Sequence, residues 1–525
     1  MNLLSVLPVC PAVLLSTTLL LPSRVANRIP VKAGKIVRLL LGIQSVMAAI
    51  LAICVIPGGL VGLTGMPEAI FVGSVELFHL DALACLMFLL ISFIGWSVAH
   101  FSIRYLDGEP KQGAYFRWLS LAIGMVSIMA ISGNLLMLVA AGLIASLAMH
   151  QLMVFYKDRT MAQRAAWTKF VISRLGDALL LMACGILYQS AGTLNLTNLF
   201  AQSNWATIPD GNLFEIAMGL FVVGALVKSA QFPFHIWLPV SLETPTPVSA
   251  LMHAGIVNAG GFLLIRISPL VSQVPSVLVI AAVTGLVTAV YGSLVMVTQT
   301  SVKKRLAYST VAQMGFMMLQ CGLGAFTAAT IHLMAHSLYK AHAFLNSGEL
   351  DSVSSLAKST RYNVLTLRRF LMFSGAGVIL TGAAVAGLLR ADLLTAETVQ
   401  HGFFPILVIG CASLFWIATV LQFRKISLLK FGLLGVVVLF LIDGAVHAGM
   451  SGALNSHGSA ALPVGMFLEL ACLILPVIVF LFVHSMKLKL KPVLTGNQAW
   501  FIHARNGFYV DTWLNRQFEF IHRTS

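Results

Sequence analysis

The chain has 525 residues, of which 58% are hydrophobic and only 10% charged, and its mean hydropathy is +0.91. Soluble proteins carry about a quarter charged residues, so this composition excludes a soluble enzyme and requires an all-α polytopic membrane protein. The 33 Lys and Arg against 18 Asp and Glu give a net charge of +15, which in a membrane protein reflects cytoplasmic loops rather than nucleic-acid binding.

Runs of about 20 apolar residues bounded by Pro, Gly, Asn or charge read as helices crossing a hydrocarbon layer roughly 30 Å thick. The sequence predicts fifteen. The first, 3–21, is preceded by no basic stretch and followed by positive charge, the reverse of a secretory signal. The others follow at 39–60, 83–101, 118–132, 134–156, 170–188, 214–232, 248–267, 275–298, 306–324, 326–347, 370–389, 403–422, 431–449 and 462–484. No linker suggests a separate soluble domain. The expected division is a transmembrane domain over 1–484 and a cytoplasmic amphipathic tail over 485–525. Seven cysteines (Cys10, Cys54, Cys85, Cys184, Cys321, Cys411, Cys472) stand singly in apolar runs, without the close pairs of a metal site or disulfide framework.

Lys and Arg collect in cytoplasmic loops, and here they alternate along the chain. They fall between spans 1 and 2 (Arg24, Arg28, Lys32, Lys35, Arg38), between 3 and 4 (Arg104, Lys111, Arg117) and between 5 and 6 (Lys157, Arg159, Arg164, Lys169, Arg174). Further groups lie at Lys303–Arg305, Lys358–Arg369, Arg424–Lys430 and beyond 484, whereas 61–80 and 189–213 hold none. The N-terminus is therefore expected outside and the C-terminus in the cytoplasm. Lys228, Arg266, Lys340 and Arg390 are the exceptions.

An ionisable group inside a span costs several kcal/mol unless paired or hydrated, and by default marks an ion or substrate path. Lys228 ends the run FVVGALVKSAQ just before FPFHIWLP, whose two prolines break the helix and free backbone carbonyls. Broken helices at membrane depth line cavities, and lysine suits proton exchange; the competing reading is a lysine that snorkels to an interface. In span 11, AATIHLMAHSLYKAHAFLNSG places His332, His336 and Lys340 at i, i+4 and i+8 on one helix face, the pattern of a proton relay. Arg174 and Asp177, one turn apart at the start of span 6, are either a structural pair or part of a pathway. Glu243, past the break, is a candidate partner for Lys228, and His253, after TPTPVS, continues a path toward span 11. Asp81, Asp392, Asp443 and Glu469 interrupt apolar runs and suit helix-end or packing roles equally well.

KSAQFPFHIWLPVSLETPTPVSALMHAG from Lys228, QTSVKKRLAYSTVAQMGFM from Gln299 and HLMAHSLYKAHAFLNSG from His332 resemble the antiporter-like proton-translocating subunits of respiratory complex I (subunit L and relatives) and of multisubunit cation/proton antiporters. The resemblance covers most of the first 350 residues. It implies an antiporter-like fold with broken helices near 233 and 387, and the role of central proton-carrying lysine for Lys228. His253, His332, His336 and Lys340 match the family's connecting residues.

Three departures stand out. The glutamate that pairs with the central lysine in complex I subunits is missing, because no acid lies between Asn134 and His150. The second broken helix carries GLLRADL, with Arg390 and Asp392 nearby and Ala391 at the family's lysine position. The long lateral helix of subunit L is also absent from the pattern. With HAGIVNAGGFLLIR, KAHAFLNSG and the NGFYVD tail, these features resemble the DabB family, membrane subunits of two-component DAB inorganic-carbon accumulation systems of bacteria.

That resemblance implies a bacterial inner-membrane location, no enzymatic activity in this chain, and no cofactor in it. It implies a partner, a DabA-like zinc-binding cytoplasmic subunit related to β-carbonic anhydrases, driven by the flow of protons or another cation. The tail AWFIHARNGFYVDTWLNRQFEFIHR mixes aromatics and charge at helical spacing and is read as a partner-docking surface or as a helix lying on anionic lipid. The alternatives are a proton-translocating subunit of an NADH-quinone oxidoreductase or multisubunit antiporter, and a non-conducting membrane anchor.

Overall fold

A computed structural model of the chain describes residues 10–18, 22–55, 69–201, 211–241, 244–347, 498–510 and 512–513. The sequence expectations at Glu243, Arg390, Asp392, Asp443 and Glu469, the break near 387 and the last four spans lie outside these residues.

The first helices are α1 (Cys10–Thr17), α2 (Ser23–Arg28) and α3 (Pro30–Val55). A hairpin follows, β1 (Ala69–Val72) and β2 (Val75–His79), then α4 (Ala82–Tyr105), α5 (Gln112–Ile131), α6 (Leu135–Met153) and α7 (Thr160–Ala191). Beyond a short α8 (Leu196–Ala201), α9 (Gly211–Lys228) leads through a 3-10 turn, Phe234–Ile236, into the short α10 (Trp237–Val240). Next come α11 (Thr246–Ala254), a 3-10 turn at Ile256–Asn258, α12 (Ala259–Arg266), α13 (Ser268–Val271), α14 (Pro275–Thr298), α15 (Val302–Gly322) and α16 (Phe326–Leu345). Among the described residues, seven segments are long and apolar enough to cross a membrane. The protein is a mostly helical, multi-pass membrane protein.

Three features differ from the sequence expectations. Residues 69–79, read as part of a loop without structure of its own, form a hairpin that turns at Gly73 (φ +63°). Glu76 anchors it: its Oε2 accepts the Thr197 amide at 2.9 Å, and its Oε1 meets the Thr197 hydroxyl at 2.9 Å and His79 Nδ1 at 2.8 Å. The span read over 248–267 is two helices separated at Gly255 and the 3-10 turn. Lys169 and Arg174, counted with a cytoplasmic loop, sit inside α7, which begins a full ten residues before the apolar core at 170. Position in the helix, not nearness to loop cations, governs their environment.

Arg266 is explained by Asp81. Asp81 caps α4, accepting the Ala84 amide at 2.8 Å on Oδ1, and its Oδ2 accepts Arg266 Nη1 at 2.7 Å. Arg266 Nη2 also reaches the Ala130 carbonyl at 3.2 Å. A fully buried guanidinium is tolerated because its charge is paired and both terminal nitrogens donate, to Asp81 and to the Ala130 carbonyl. The loops after α4 and α6 are tied by the Tyr156 hydroxyl, which donates to Glu109 Oε1 at 3.2 Å. Burial, with the Glu109 carboxylate alongside, pushes that hydroxyl up to about 12, so it remains a donor.

Candidate ion-translocation site

The geometry around Lys228 begins with close helix packing. A Cβ on Gly176 of α7 would meet Val227 Cγ1 at 3.2 Å and Lys228 Cγ at 3.3 Å, so glycine there lets α7 lie directly against the last turn of α9. Asp177, the next residue, consequently meets Lys228. Its Oδ1 pairs with Lys228 Nζ and its Oδ2 with Arg174 Nη2 at 2.7 Å, one carboxylate between two cations. Arg174 and Asp177 are therefore neither a simple i,i+3 pair nor independent, because the carboxylate is shared with a third residue.

The end of α9 is built by local geometry. Ala230 adopts the left-handed region (φ +51°), and the Gln231 amide closes on the Leu226 carbonyl at 3.1 Å, the six-to-one bond of a Schellman-type end. The following amide, Phe232, is taken by Thr288 Oγ1 of α14 at 3.0 Å, and the Ser229 hydroxyl donates to the Val257 carbonyl at 2.8 Å. Side chains thus satisfy the backbone groups that irregular structure at membrane depth leaves open.

A second cluster lies on α11, α15 and α16. Lys340 Nζ donates to the Leu306 carbonyl at 3.1 Å and to the Ser309 hydroxyl. The same Leu306 carbonyl accepts the Thr310 hydroxyl at 3.1 Å, and Thr310 Oγ1 lies 3.1 Å from His253 Nδ1. Since the single hydroxyl proton of Thr310 is committed to Leu306, His253 must donate from Nδ1. Its Nε2 then carries the lone pair, and that atom is buried with no hydrogen-bond partner among the described residues. The His253 ring stacks on Phe344 at 4.2 Å.

His332 lies between two glutamines of α15, Nδ1 2.8 Å from Gln320 Oε1 and Nε2 2.7 Å from Gln313 Oε1. The His332 and His336 rings are 6.3 Å apart, and neither nitrogen of His336 has a hydrogen-bond partner among the described residues. His332, His336 and Lys340 therefore keep their one-face column, with His332 and Lys340 both anchored on α15.

The chain matches the NADH:quinone oxidoreductase/Mrp antiporter transmembrane family over residues 132–388 and the complex I chain 5 N-terminal family over 76–116. It is 36% identical over 445 residues to the probable inorganic carbon transporter subunit DabB2 of Halothiobacillus neapolitanus, covering 83% of this chain and 79% of that one. The chain belongs to the DabB family of antiporter-like membrane subunits. A second DabB-family relative, the probable inorganic carbon transporter subunit DabB of Hydrogenovibrio crunogenus, is 41% identical over 306 residues, 58% of each chain. In fold, the chain is similar to the Mrp complex from Dietzia sp. DQ12-45-1b, with a TM-score of 0.64 and 22% identity, covering 99% of this chain and 60% of that one.

Within this DabB-family chain, four residues near the two clusters escaped the sequence reading of the site. Lys169 is 1% exposed and donates to Ser146 of α6, at 2.7 Å to the hydroxyl and 2.9 Å to the carbonyl. Asn258, between α11 and α12, donates to the Ser337 hydroxyl at 2.7 Å and to the Ala254 carbonyl at 2.9 Å. Asn258 and Ser337 line a cavity of about 40 Å³ bounded mostly by apolar side chains of α4, α5 and α11. A polar residue inside an apolar run was the available signal for Asn258. Lys169 gave none, because its neighbours in sequence are loop cations.

Proposed function

We propose that this chain is the ion-conducting membrane subunit of a two-component inorganic-carbon accumulation complex. It carries protons, or another cation, along a route through Lys228 and drives a DabA-like zinc-binding cytoplasmic subunit related to β-carbonic anhydrases. The observation that carries this reading is the shared carboxylate of Asp177, which supplies Lys228 with an acid although α6 has none. One likeness supports the substrate class, a relative named as an inorganic carbon transporter subunit that is 36% identical over 83% of this chain, and the match to the antiporter transmembrane family supports ion translocation.

In this reading Arg174, Asp177 and Lys228 form the central exchange site. His253, His332, His336 and Lys340 continue the route, with Glu243, Arg390 and Asp392 toward its further parts. The complete fold has fifteen spans and a second broken helix near 387, in a bacterial inner membrane with the N-terminus periplasmic and the C-terminus cytoplasmic. This chain holds no cofactor and catalyses no reaction. The partner's zinc supplies an activated water for hydration of CO2. A carbonic-anhydrase site accelerates both directions equally, so accumulation needs external free energy. One charge crossing 100 mV supplies about 2.3 kcal/mol, enough at about 1.4 kcal/mol per tenfold to bias the ratio roughly fiftyfold.

The tail supports a coupling path. Tyr291 of α14 donates to the Gly507 carbonyl at 3.1 Å, and Phe508 lies 6.3 Å from the Tyr291 ring, which also contacts Phe232 at 5.5 Å and His235 at 4.6 Å. The tail therefore reaches the aromatic side chains that follow Lys228, while Ile502, Tyr509 and Trp513 point outward, 50%, 44% and 62% exposed. The test is affinity purification of the tagged chain from gently solubilised native membranes, with metal analysis. A single large zinc-containing soluble partner supports the reading; quinone-reductase or antiporter subunits replace it with the respiratory or antiporter alternative.

A further inference from the structure

Lys169 is a buried cation that the route above leaves unused. On α7, Lys169, Ser173 and Asp177 fall at i, i+4 and i+8 and so share one helix face. Lys169, Ser173 and Lys228 line a single cavity of about 40 Å³, shared with Ser146, Trp237, Gly260 and apolar neighbours. At about 10–15 Å³ of such volume per molecule, it has room for about three or four waters. A Cβ on Gly260 would meet the Ala225 carbonyl at 2.1 Å, so α12 approaches α9 closely on one side of this space.

The charges do not balance. Lys169 and Lys228 line the cavity, Arg174 shares a carboxylate with Lys228, and among the described residues that carboxylate, Asp177, is the only one paired with any of the three. On α6 the titratable neighbour is His150, whose Nδ1 lies 3.2 Å from the Ala166 carbonyl and whose ring packs on Trp167 and Phe170. It brings no negative charge. Arg174 is permanently charged and shares the single charge of Asp177 with Lys228, which leaves two amines on one small, largely apolar space with less than one carboxylate between them. Holding both as ammonium ions there is costly. The Ser146 hydroxyl both donates and accepts, and the Ser146 carbonyl accepts, so Lys169 keeps both contacts with or without its extra proton.

We infer that Lys169 is a second proton-carrying group of this subunit, sharing one proton with Lys228 through water in the cavity between them. The transfer balances: the N–H bond of one ammonium breaks, a water accepts that proton and gives up another, and the second amine forms the new N–H bond. The inference rests on the reading of Lys228 as the central proton carrier. It adds that the site works with two amines and one proton.

The experiment is proton flux into proteoliposomes carrying the full chain with its co-purified partner, driven by a valinomycin potassium potential and read with an internal pH dye from pH 6 to 9. The variants are Lys169→Gln, Lys169→Arg and Ser146→Ala, with Lys228→Ala as the control. Lys169→Gln keeps a donor for Ser146 and Lys169→Arg keeps the charge, but neither exchanges a proton; each is expected to lower flux at least tenfold. Ser146→Ala, which loses one of the two anchors of Lys169, is expected to move the pH midpoint of flux by about one unit. Wild-type flux and pH profile in Lys169→Gln, with Lys228→Ala inactive, overturn this inference alone. Wild-type flux in Lys228→Ala overturns the underlying reading as well. Should the Lys169 variants fail to fold, an unchanged pH profile in Ser146→Ala overturns the inference.

Discussion

Asp177 and Lys228 lie on different helices, 51 residues apart in sequence, and are joined as an ion pair because Gly176 lets α7 and α9 touch. Arg174 binds the other oxygen of the same carboxylate at 2.7 Å. A lysine whose counter-ion is already engaged by a guanidinium is held less tightly than in an exclusive pair. That suits a group which must release its proton and regain it.

Replacing Asp177 with Asn leaves Lys228, 12% exposed, and the half-buried Arg174 without a carboxylate. Removing one partner of a fully buried pair costs about 3–5 kcal/mol and of this partly exposed one less, so Asp177→Asn is expected to lower the melting temperature in detergent and to reduce proton flux at least tenfold. Flux and melting temperature equal to wild type would remove Asp177 from the site.

The Asp81–Arg266 pair ties the start of α4 to the end of α12 and lies away from Lys228 in sequence. Arg266→Met is expected to destabilise by about 3 kcal/mol or more through the unpaired Asp81. Adding Asp81→Asn, which keeps a cap acceptor for Ala84, should recover most of that loss. Thermal melting of the single and double variants measures the coupling, and strict additivity would deny it.

Thr310 fixes the His253 tautomer by committing its proton to Leu306. Thr310→Val removes the acceptor for His253 Nδ1 at nearly constant size, frees the ring to donate from Nε2, and is expected to slow flux several-fold while the protein remains folded. Thr310→Ser, which retains the hydroxyl, should stay within about twofold of wild type. Equal flux in the two variants would make the tautomer irrelevant.

The outward face of the tail offers Ile502 and Trp513. Placing a charge there, as Ile502→Asp with Trp513→Asp, is expected to abolish co-purification of the zinc subunit while the membrane protein still extracts as a monodisperse species. Retention of the partner with loss of membrane-surface affinity instead would make the tail a lipid-binding element.

Much of this was legible in the sequence because the membrane limits the choices. Apolar runs marked α4, α5, α6 and α14 to within a few residues, and Lys228, His253, His332, His336 and Lys340 stood out because charge and imidazole are rare at membrane depth. What stayed hidden depended on contacts between distant segments. Asp177 read as either a structural partner of Arg174 or part of a pathway until α9 was packed beside it, and Arg266 was an exception until Asp81 met it. Lys169 was obscured by its own neighbours. The break at Gly255 gave no sign because HAGIVNAGGFLLIR is apolar enough to read as one continuous helix. The hairpin at 69–79 was missed because its register is set by Glu76 and Asn195, whose partners lie more than a hundred residues away.

The account stands or falls on whether ion flow through Lys228 drives the chemistry of the partner. The most direct measurement is isotopic bicarbonate accumulation in vesicles bearing the purified complex, under an imposed proton-motive force, for wild type and Lys228→Ala, with zinc content of the partner measured in both. The account predicts accumulation in wild type that collapses with an uncoupler, and none in Lys228→Ala although the zinc subunit remains bound and loaded. Equal accumulation in Lys228→Ala, or accumulation in wild type that survives the uncoupler, would contradict it.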